Sequence, residues 1–540
     1  MKLKLFIVTL FISTLSFAQT KGTITGVLTD KDSNNETLPF ANVILKGTPI
    51  NATTDIDGKY TIAAPAGSYV IQFSFIGYES VEIPVTVVSG QTITISKALG
   101  SSSYKLDDVI IRTTVNKQKE SALLLEQKNA VEIKQSIGAQ ELARKGVSDV
   151  ASAVTKVSGV SRQEGSGSVF VRGLGDRYNV TTLNGLPLPS NNPKNKNILL
   201  DIFSTDIVES VGISKTFESQ NYADFAGANV DIVSKKMTGS PFIQVGVGAG
   251  TNSNVAKLDK FYLQDGPSYF GFNKISAPSN PLLPYNYGTS WDKQERKNTL
   301  NNNISLSAGK KFDVGANSSI STFITAGFDA ENRYNEGIYR TTITAQGAAN
   351  TDLFRKSYQF NTNSTVMGTA DYKINKNNSI LFTTLFLNST TQDYSEYEGF
   401  NIEFSGLDQI GFIKRGTFDK TQLIVNQLLG KHKYNERITA NWGLGYSILD
   451  NTIPDRMQNT FVPSSDGSTD YTFFKNSSIN NHRYYQGLTE KEWSANISGS
   501  YNFVKVDEDT FKGKATIGYS GKMKTVDFNS QQYSFFPETN

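Results

Sequence analysis

The chain has 540 residues, with 53 Lys and Arg against 50 Asp and Glu and a net charge of only +3. That near-balance, with no Lys/Arg-rich stripe, lacks the electrostatic footprint of a nucleic-acid binder. Cysteine is absent and there are two histidines, which closes disulfides, thiolate chemistry and multi-His zinc sites and leaves no catalytic, metal or cofactor constellation in view.

The length exceeds one ordinary core, so several domains are expected. Lys2 and Lys4 precede an apolar run over 5–15 and small residues up to Ala18, the pattern of a signal peptide over 1–18 cleaved between Ala18 and Gln19. The run is shorter than the ~20 residues of a membrane helix. No later stretch reaches that length, and an exported chain without such a helix is either soluble or crosses a membrane as a closed barrel.

Residues 20–98 alternate short strands (23–28, 41–45, 68–73) with turn-rich breaks at 30–35, 55–58 and 65–67, which predicts a small β-sandwich. Asp55-Ile56-Asp57-Gly58 opens like a calcium loop but lacks the later acidic ligands, so a plain turn with Gly58 at positive φ is expected. Gly26-Val27-Leu28-Thr29-Asp30, Leu38-Pro39-Phe40-Ala41-Asn42-Val43, Thr54 to Tyr60 and Ile76-Gly77-Tyr78 resemble the carboxypeptidase-regulatory-like domain family.

Residues 100–119 read as polar linker around Leu106-Asp107-Asp108-Val109-Ile110-Ile111. That hexamer is either one more sandwich strand or an extended segment able to add to another protein's sheet edge. Residues 121–237 mix helical patterns (122–133, 138–145, 150–154) with strands (169–172, 208–213, 228–233), a compact α+β domain.

From residue 240 the alternation is clean. Ile438, Ala440, Trp442, Leu444, Tyr446 and Ile448 are spaced by Thr, Asn, Gly and Ser, and the pattern recurs at 243–249, 493–503 and 511–519. Short turns at 310–318, 374–379, 431–437 and 505–510 alternate with long loops at 252–297, 329–359, 391–416 and 450–487. One apolar face, one polar face and this asymmetry of connections predict an antiparallel transmembrane β-barrel with strands of ~10 residues. Phe312, Tyr372, Trp493 and Tyr501 suit interfacial aromatic girdles. The loop aromatics (Phe261, Tyr262, Tyr269, Phe270, Phe272, Tyr285, Tyr287, Trp291) either stack on a ligand or pack on one another.

Val169-Phe170-Val171-Arg172-Gly173-Leu174-Gly175-Asp176-Arg177-Tyr178-Asn179 followed by Leu183-Asn184-Gly185-Leu186-Pro187 resembles the plug domain of TonB-dependent outer-membrane receptors, and Asp201-Ile202-Phe203, Ile207 to Val211 and Ala223 to Ala228 continue the match in order. With the regulatory-like domain in front, the order resembles receptors of the Bacteroidetes type. The fold class expected is therefore mainly β: signal peptide 1–18, sandwich 19–98, linker 99–118, α+β plug 119–238, and the first part, about nine strands, of a barrel over 239–540. The longer plug insertion of SusC-like glycan importers is missing. The family barrel has ~22 strands, so a C-terminally truncated chain is expected.

The resemblance implies that Asp107, Asp108, Val109, Ile110, Ile111 and Arg112 form the TonB box, pairing as an added strand with TonB of the TonB–ExbB–ExbD energy-transducing complex. It implies plug-motif roles for Arg172, Gly173, Asp176, Arg177, Asn184 and Gly185, with Arg172 facing either wall carboxylates or local partners Asp176 and Glu164. Ligand-facing candidates are Tyr178, Asn191, Asn192, Tyr285 and Trp291, on loops that could equally be scaffold. Outer-membrane lipid and the barrel-assembly machinery are the other partners implied. The expected function is energised import of a scarce siderophore, oligosaccharide or peptide across the cell outer membrane, with the sandwich in the periplasm. A surface β-sandwich adhesin or structural protein and a non-energised porin-like channel are the alternatives.

Overall fold

The fold was obtained as a computed structural model that describes residues 21–31, 35–75, 78–100, 120–129, 133–163, 167–264, 266–272, 292–341, 343–404, 410–464, 469–475, 478–507 and 510–535. Ala18 and Gln19, the expected TonB box at 107–112, Glu164, Tyr285, Tyr287 and Trp291 lie outside the described residues. The chain divides into two compact units, Met1–Arg112 and Thr113–Asn540.

In the first unit, β1 (Gly22–Asp30), β2 (Asn42–Leu45), β3 (Asn51–Thr53), β4 (Lys59–Ala64), β5 (Gly67–Ser74), β6 (Val81–Val87), β7 (Thr92–Thr94) and β8 (Lys97–Leu99) form two sheets. One has the order β4-β1-β7 with β8 also on β1, the other β3-β2-β5-β6. Alternate residues of β1 and β4 point into a core with Val43, Leu45, Ile71 and Phe73, because a period of two puts one side of each strand on the facing sheet. The turn at 55–58 is closed by Asp55 Oδ1, which accepts from the N–H groups of Asp57 (2.9 Å) and Lys59 (2.8 Å), with Gly58 at φ +70°.

The second unit opens with helices α1 (Glu120–Asn129), α2 (Ala139–Arg144) and α3 (Val150–Val154), the last capped by Asp149 Oδ1 on the Ser152 N–H at 2.8 Å. The helix expected over 122–133 stops at Asn129, and β9 (Lys134–Gly138) follows. With β12 (Asn179–Leu183), β13 (Leu186–Pro187), β14 (Val208–Ser214) and β15 (Ala228–Ser234) it makes a five-stranded mixed sheet of order β13-β12-β15-β14-β9. A separate hairpin joins β10 (Val160–Arg162) to β11 (Val169–Val171).

The rest of this unit is one antiparallel sheet. Its nine strands run in sequence order: β16 (Phe242–Gly250), β19 (Asn301–Asp313), β20 (Ser319–Tyr339), β21 (Thr351–Asn375), β22 (Asn378–Asn401), β23 (Ile410–Lys433), β24 (Ile438–Pro463), β26 (His482–Asp507) and β27 (Thr510–Ser534). The short β25 (Tyr471–Phe473) adds to the end of β24. Between β16 and β19 lie helix α4 (Ser253–Ala256) and the small hairpin of β17 (Tyr262–Gln264) with β18 (Lys293–Glu295).

The strands β20 to β24, β26 and β27 are 21 to 26 residues long, more than twice the ~10 that cross a bilayer. Three of the expected long loops are therefore mostly strand, and only 340–350, 402–409 and 464–481 connect the elements there. The reason is chemical: pairing continues through residues such as Asn388, Thr390, Gln392 and Tyr394, where the apolar–polar contrast that marks a lipid-facing strand has gone. The short turns stand where the sequence puts them.

The two faces are inverted relative to a soluble sheet. On one, Ile243, Val247, Leu444, Ile497, Ile517 and Tyr519 are exposed; on the other, Thr325, Thr365, Thr383, Gln427 and Ser447 are buried by the helices and small sheet. Near the short turns, one cross-strand row places Phe312, Ile320, Tyr372, Ile380, Gly430, Trp442, Ile497 and Tyr519 side by side. Phe312 and Tyr372 thus sit together as expected of a girdle, whereas Trp493 stacks on Tyr446 four residues further along. Gly430 leaves room for the Trp442 indole.

The connection after β16 lies on that same outer face, beyond the exposed belt. Phe261 and Tyr262 pack edge-on against Tyr358, Tyr269 against Phe360 and Phe328, and Lys293 pairs with Glu396 at 2.7 Å. Tyr358 and Phe360 alternate with Asn363, Met367 and Thr369, which point to the opposite face. These described loop aromatics are packing mass against the strands.

Candidate functional site

The face of buried polar residues is where the α+β domain seats. Its core runs continuously from Val150, Leu183, Phe203, Val211 and Ile232 into Met367, Leu385, Leu423, Val425 and Leu449 of the large sheet. Polar bonds fix the register between them. Gln427 Nε2 donates to the Leu183 carbonyl (2.8 Å), and Asn184 Nδ2 donates to Gln427 Oε1 (2.9 Å). The Ser190 N–H reaches Glu490 Oε1 (3.1 Å), Asn363 Nδ2 reaches the Ile202 carbonyl (2.8 Å), and Lys522 pairs with Asp224 (3.1 Å). Paired groups of this kind offset part of the cost of burying a polar wall, although Thr365 Oγ1 and Thr383 Oγ1 are buried with no hydrogen-bond partner among the described residues.

Asn184 and Gly185 take φ of +52° and +79° between the paired Leu183 and Leu186, a two-residue turn of the type that demands left-handed backbone at both positions. Asn184 Oδ1 accepts from the Ser234 N–H (2.9 Å) and Asp231 Oδ1 from the Gly185 N–H (2.8 Å). Arg172 and Gly173 repeat the left-handed pair at +52° and +78° after β11. The Arg172 side chain is exposed and, among the described residues, forms no ion pair. Asp176 is occupied elsewhere: it accepts from the backbone N–H groups of Lys196 (2.5 Å) and Asn197 (3.0 Å), so it fastens the 189–197 loop to the domain.

That loop is both scaffold and lining. Ser190 Oγ donates to the carbonyls of Asn192 and Asn195 and holds it shut, while Asn191 and Asn192 face a cavity of about 680 Å³ between the α+β domain and β16 to β23. Arg162, Asp201 and Ile202 line one side and Asn301, Asp329, Arg333, Asn363, Asp393 and Asp419 the other. Among the described residues the lining contains no aromatic ring, so the space suits a polar ligand held by carboxamides, hydroxyls and charges. Tyr178 and Arg177 are exposed and away from it; the Tyr178 carbonyl accepts from the N–H groups of Ala226 and Gly227. The arginine of this domain that meets carboxylates at the cavity is Arg162, 3.7 Å from Asp201 and 4.0 Å from Asp149. Sequence reasoning missed it because nothing local to Val160-Ser161-Arg162 marks the position.

Burial raises the Asp201 carboxyl above its ordinary value, and Arg162 pulls the other way. A raised carboxyl binds its proton more tightly in the fold, so it favours the folded state at low pH and that contribution is lost as pH climbs from about 4 to the raised value. Asp201→Asn is therefore expected to flatten the dependence of melting temperature on pH over that interval. Parallel curves for the two proteins would show that the buried carboxyl has no such part.

Residues 24–111 match the model of the CarboxypepD_reg-like domain and residues 126–230 that of the TonB-dependent Receptor Plug Domain. Residues 126–230 are thus a plug domain of the kind TonB-dependent receptors carry. TonB-dependent receptor P3 of Formosa agariphila is 32% identical over 111 residues, 21% of this chain and 10% of P3. TonB-dependent receptor SusC of Bacteroides thetaiotaomicron is 39% identical over 83 residues, 15% of this chain and 8% of SusC. The aligned stretches thus span a tenth or less of these relatives. The solved closed form of the ferric-catecholate import receptor Fiu of E. coli K12 overlaps 74% of this chain and 63% of its own at 11% identity, with a TM-score of 0.36. The small mixed sheet and its helices fall almost wholly within the matched 126–230 and are the plug; the large sheet is the wall it seats against. Among the described residues no helix is long and apolar enough to cross a membrane.

Proposed function

We propose that this receptor is an energised importer of the cell outer membrane, taking a polar ligand from the loop side past the plug. The observation that carries the reading is the inverted wall: its apolar face is exposed and its polar face is buried on the plug, which suits lipid outside and a gated path inside. In this reading residues 19–98 are a periplasmic domain, 99–118 a linker, 119–238 the plug and 239–540 wall, inserted by the barrel-assembly machinery. The siderophore, oligosaccharide and peptide classes all remain compatible with a cavity lined by carboxylates, carboxamides and hydroxyls.

Energy would arrive through Asp107-Asp108-Val109-Ile110-Ile111-Arg112. An extended segment with alternating side chains can add to the sheet edge of TonB, driven in turn by ExbB and ExbD, with backbone hydrogen bonds supplying affinity. Proline lacks the N–H such a strand needs. Val109→Pro is expected to abolish capture of this protein by the purified periplasmic domain of TonB while leaving the cavity intact. Capture at wild-type strength would remove the box from these residues.

A further inference from the structure

Two wall arginines at the loop-side rim of the cavity face no carboxylate among the described residues, and we infer that Arg415 and Arg456 form a receiving site for an oxyanion, a carboxylate, phosphate or sulfate group on the ligand. The inference rests on the importer reading and adds to it the charge class of what enters.

The register fixes the arrangement. Asp393 and Thr417 line the cavity, and the row that contains them continues through Arg456 to Tyr484. The next inward row toward the loops is Ser395, Arg415, Gln458 and His482. Cross-strand partners share a face, so both guanidiniums stand on the plug side of the wall, one step above the cavity.

Each is held in place without being neutralised. The Arg456 guanidinium lies 4.3 Å over the Tyr484 ring, and its Nη2 is 3.3 Å from His482 Nε2. His482 Nδ1 is 2.6 Å from the Ile479 carbonyl; it must carry the hydrogen there, which leaves Nε2 as the acceptor facing Arg456. Arg456 Nε is buried with no hydrogen-bond partner. Arg415 donates through Nε (2.9 Å) and Nη2 (2.6 Å) to the neutral Gln458 amide oxygen. The two arginines repel one another.

The carboxylates near by are engaged elsewhere. Asp393 accepts from Ser357 and Gln359, both at 2.8 Å, and pairs with Arg355 at 3.3 Å. Asp455, one residue before Arg456, points to the other face, where it meets Arg483. Partly buried like charges without a counter-ion are costly to hold, and planar guanidiniums match oxyanions bidentately. Below the rim, Asp329, Asp419 and the asparagines present acceptors, so the remainder of such a ligand would carry hydroxyl or ammonium donors.

The test is calorimetric titration of the purified protein in detergent with citrate and with pyrophosphate, and maltotriose as the uncharged control. Saturable binding of at least one anion is expected, weakened by added salt and by about tenfold or more in Arg415→Gln and in Arg456→Gln. Circular dichroism reports whether each variant folds. Should Arg456→Gln fail, Arg456→Lys keeps the charge without the fork and should lose less than Arg415→Gln. No saturable binding of either anion, or binding that the folded Gln variants leave unchanged, overturns the site. Val109→Pro should titrate like wild type, so failure of the TonB assignment leaves this result readable.

Discussion

Leu444→Arg should cost about 2–4 kcal/mol of folded stability in lipid, the penalty of a cation near the middle of a bilayer-facing strand. Leu444 is 52% exposed on the outer face, between Leu428 and Ala495 on the neighbouring strands and six residues from the start of β24. If that face met water, the same change would be a surface substitution, with an effect within about 0.5 kcal/mol. Tyr434→Arg, in the short turn 434–437, supplies the comparison and should stay within about 0.5 kcal/mol. Denaturant unfolding of each protein from lipid vesicles measures the difference. Equal midpoints for Leu444→Arg and Tyr434→Arg would mean that the exposed apolar face is not a lipid face. The comparison is sharp because exposure in the isolated chain points one way and the solvent outside it the other.

The same contrast explains what the amino-acid order reveals and what it hides. The wall was legible because an exposed apolar face and a polar face packed on the plug impose a period of two on Ile438 to Ile448 and its counterparts. The pattern faded where strands run on beyond the exposed apolar belt, so Asn388 to Tyr394 looked like loop although pairing continues there. The order of the plug's helices was legible from local apolar spacing. β9, β12 and β13 were not: β12 and β13 are buried throughout and carry no alternation, and β9 is a five-residue edge strand without an apolar–polar period; Asn184-Gly185, flanked by Leu183 and Leu186, was a hairpin signal that could have found β12 and β13. At the site, Asn191 and Asn192 lie on the cavity, but Arg162, Arg415 and Arg456 come together with it only through long-range register. No spacing rule within one strand reports which residue of the next strand stands beside it.

Asn184→Leu should be among the most damaging single changes in the plug, because three costs coincide at one residue. The side chain closes two bonds, to the Ser234 N–H and to Gln427 across the plug–wall boundary, and its loss leaves buried partners unpaired at about 1–3 kcal/mol each. The backbone sits at φ +52°, where a branched side chain adds about 1–2 kcal/mol. Asn184→Gly separates the terms: it keeps the left-handed turn and loses only the bonds. Gln427→Leu goes further, sparing the turn and the Ser234 bond while removing both wall contacts. Hydrogen exchange of the amides in β12 and β15 should accelerate in the order Gln427→Leu, Asn184→Gly, Asn184→Leu. Asn184→Gly exchanging as fast as Asn184→Leu would show that the turn geometry contributes nothing, and unchanged exchange in Gln427→Leu would show that the wall does not hold this edge of the plug. A plug edge that the wall does hold is one whose release can be coupled to pulling from the segment ahead of it.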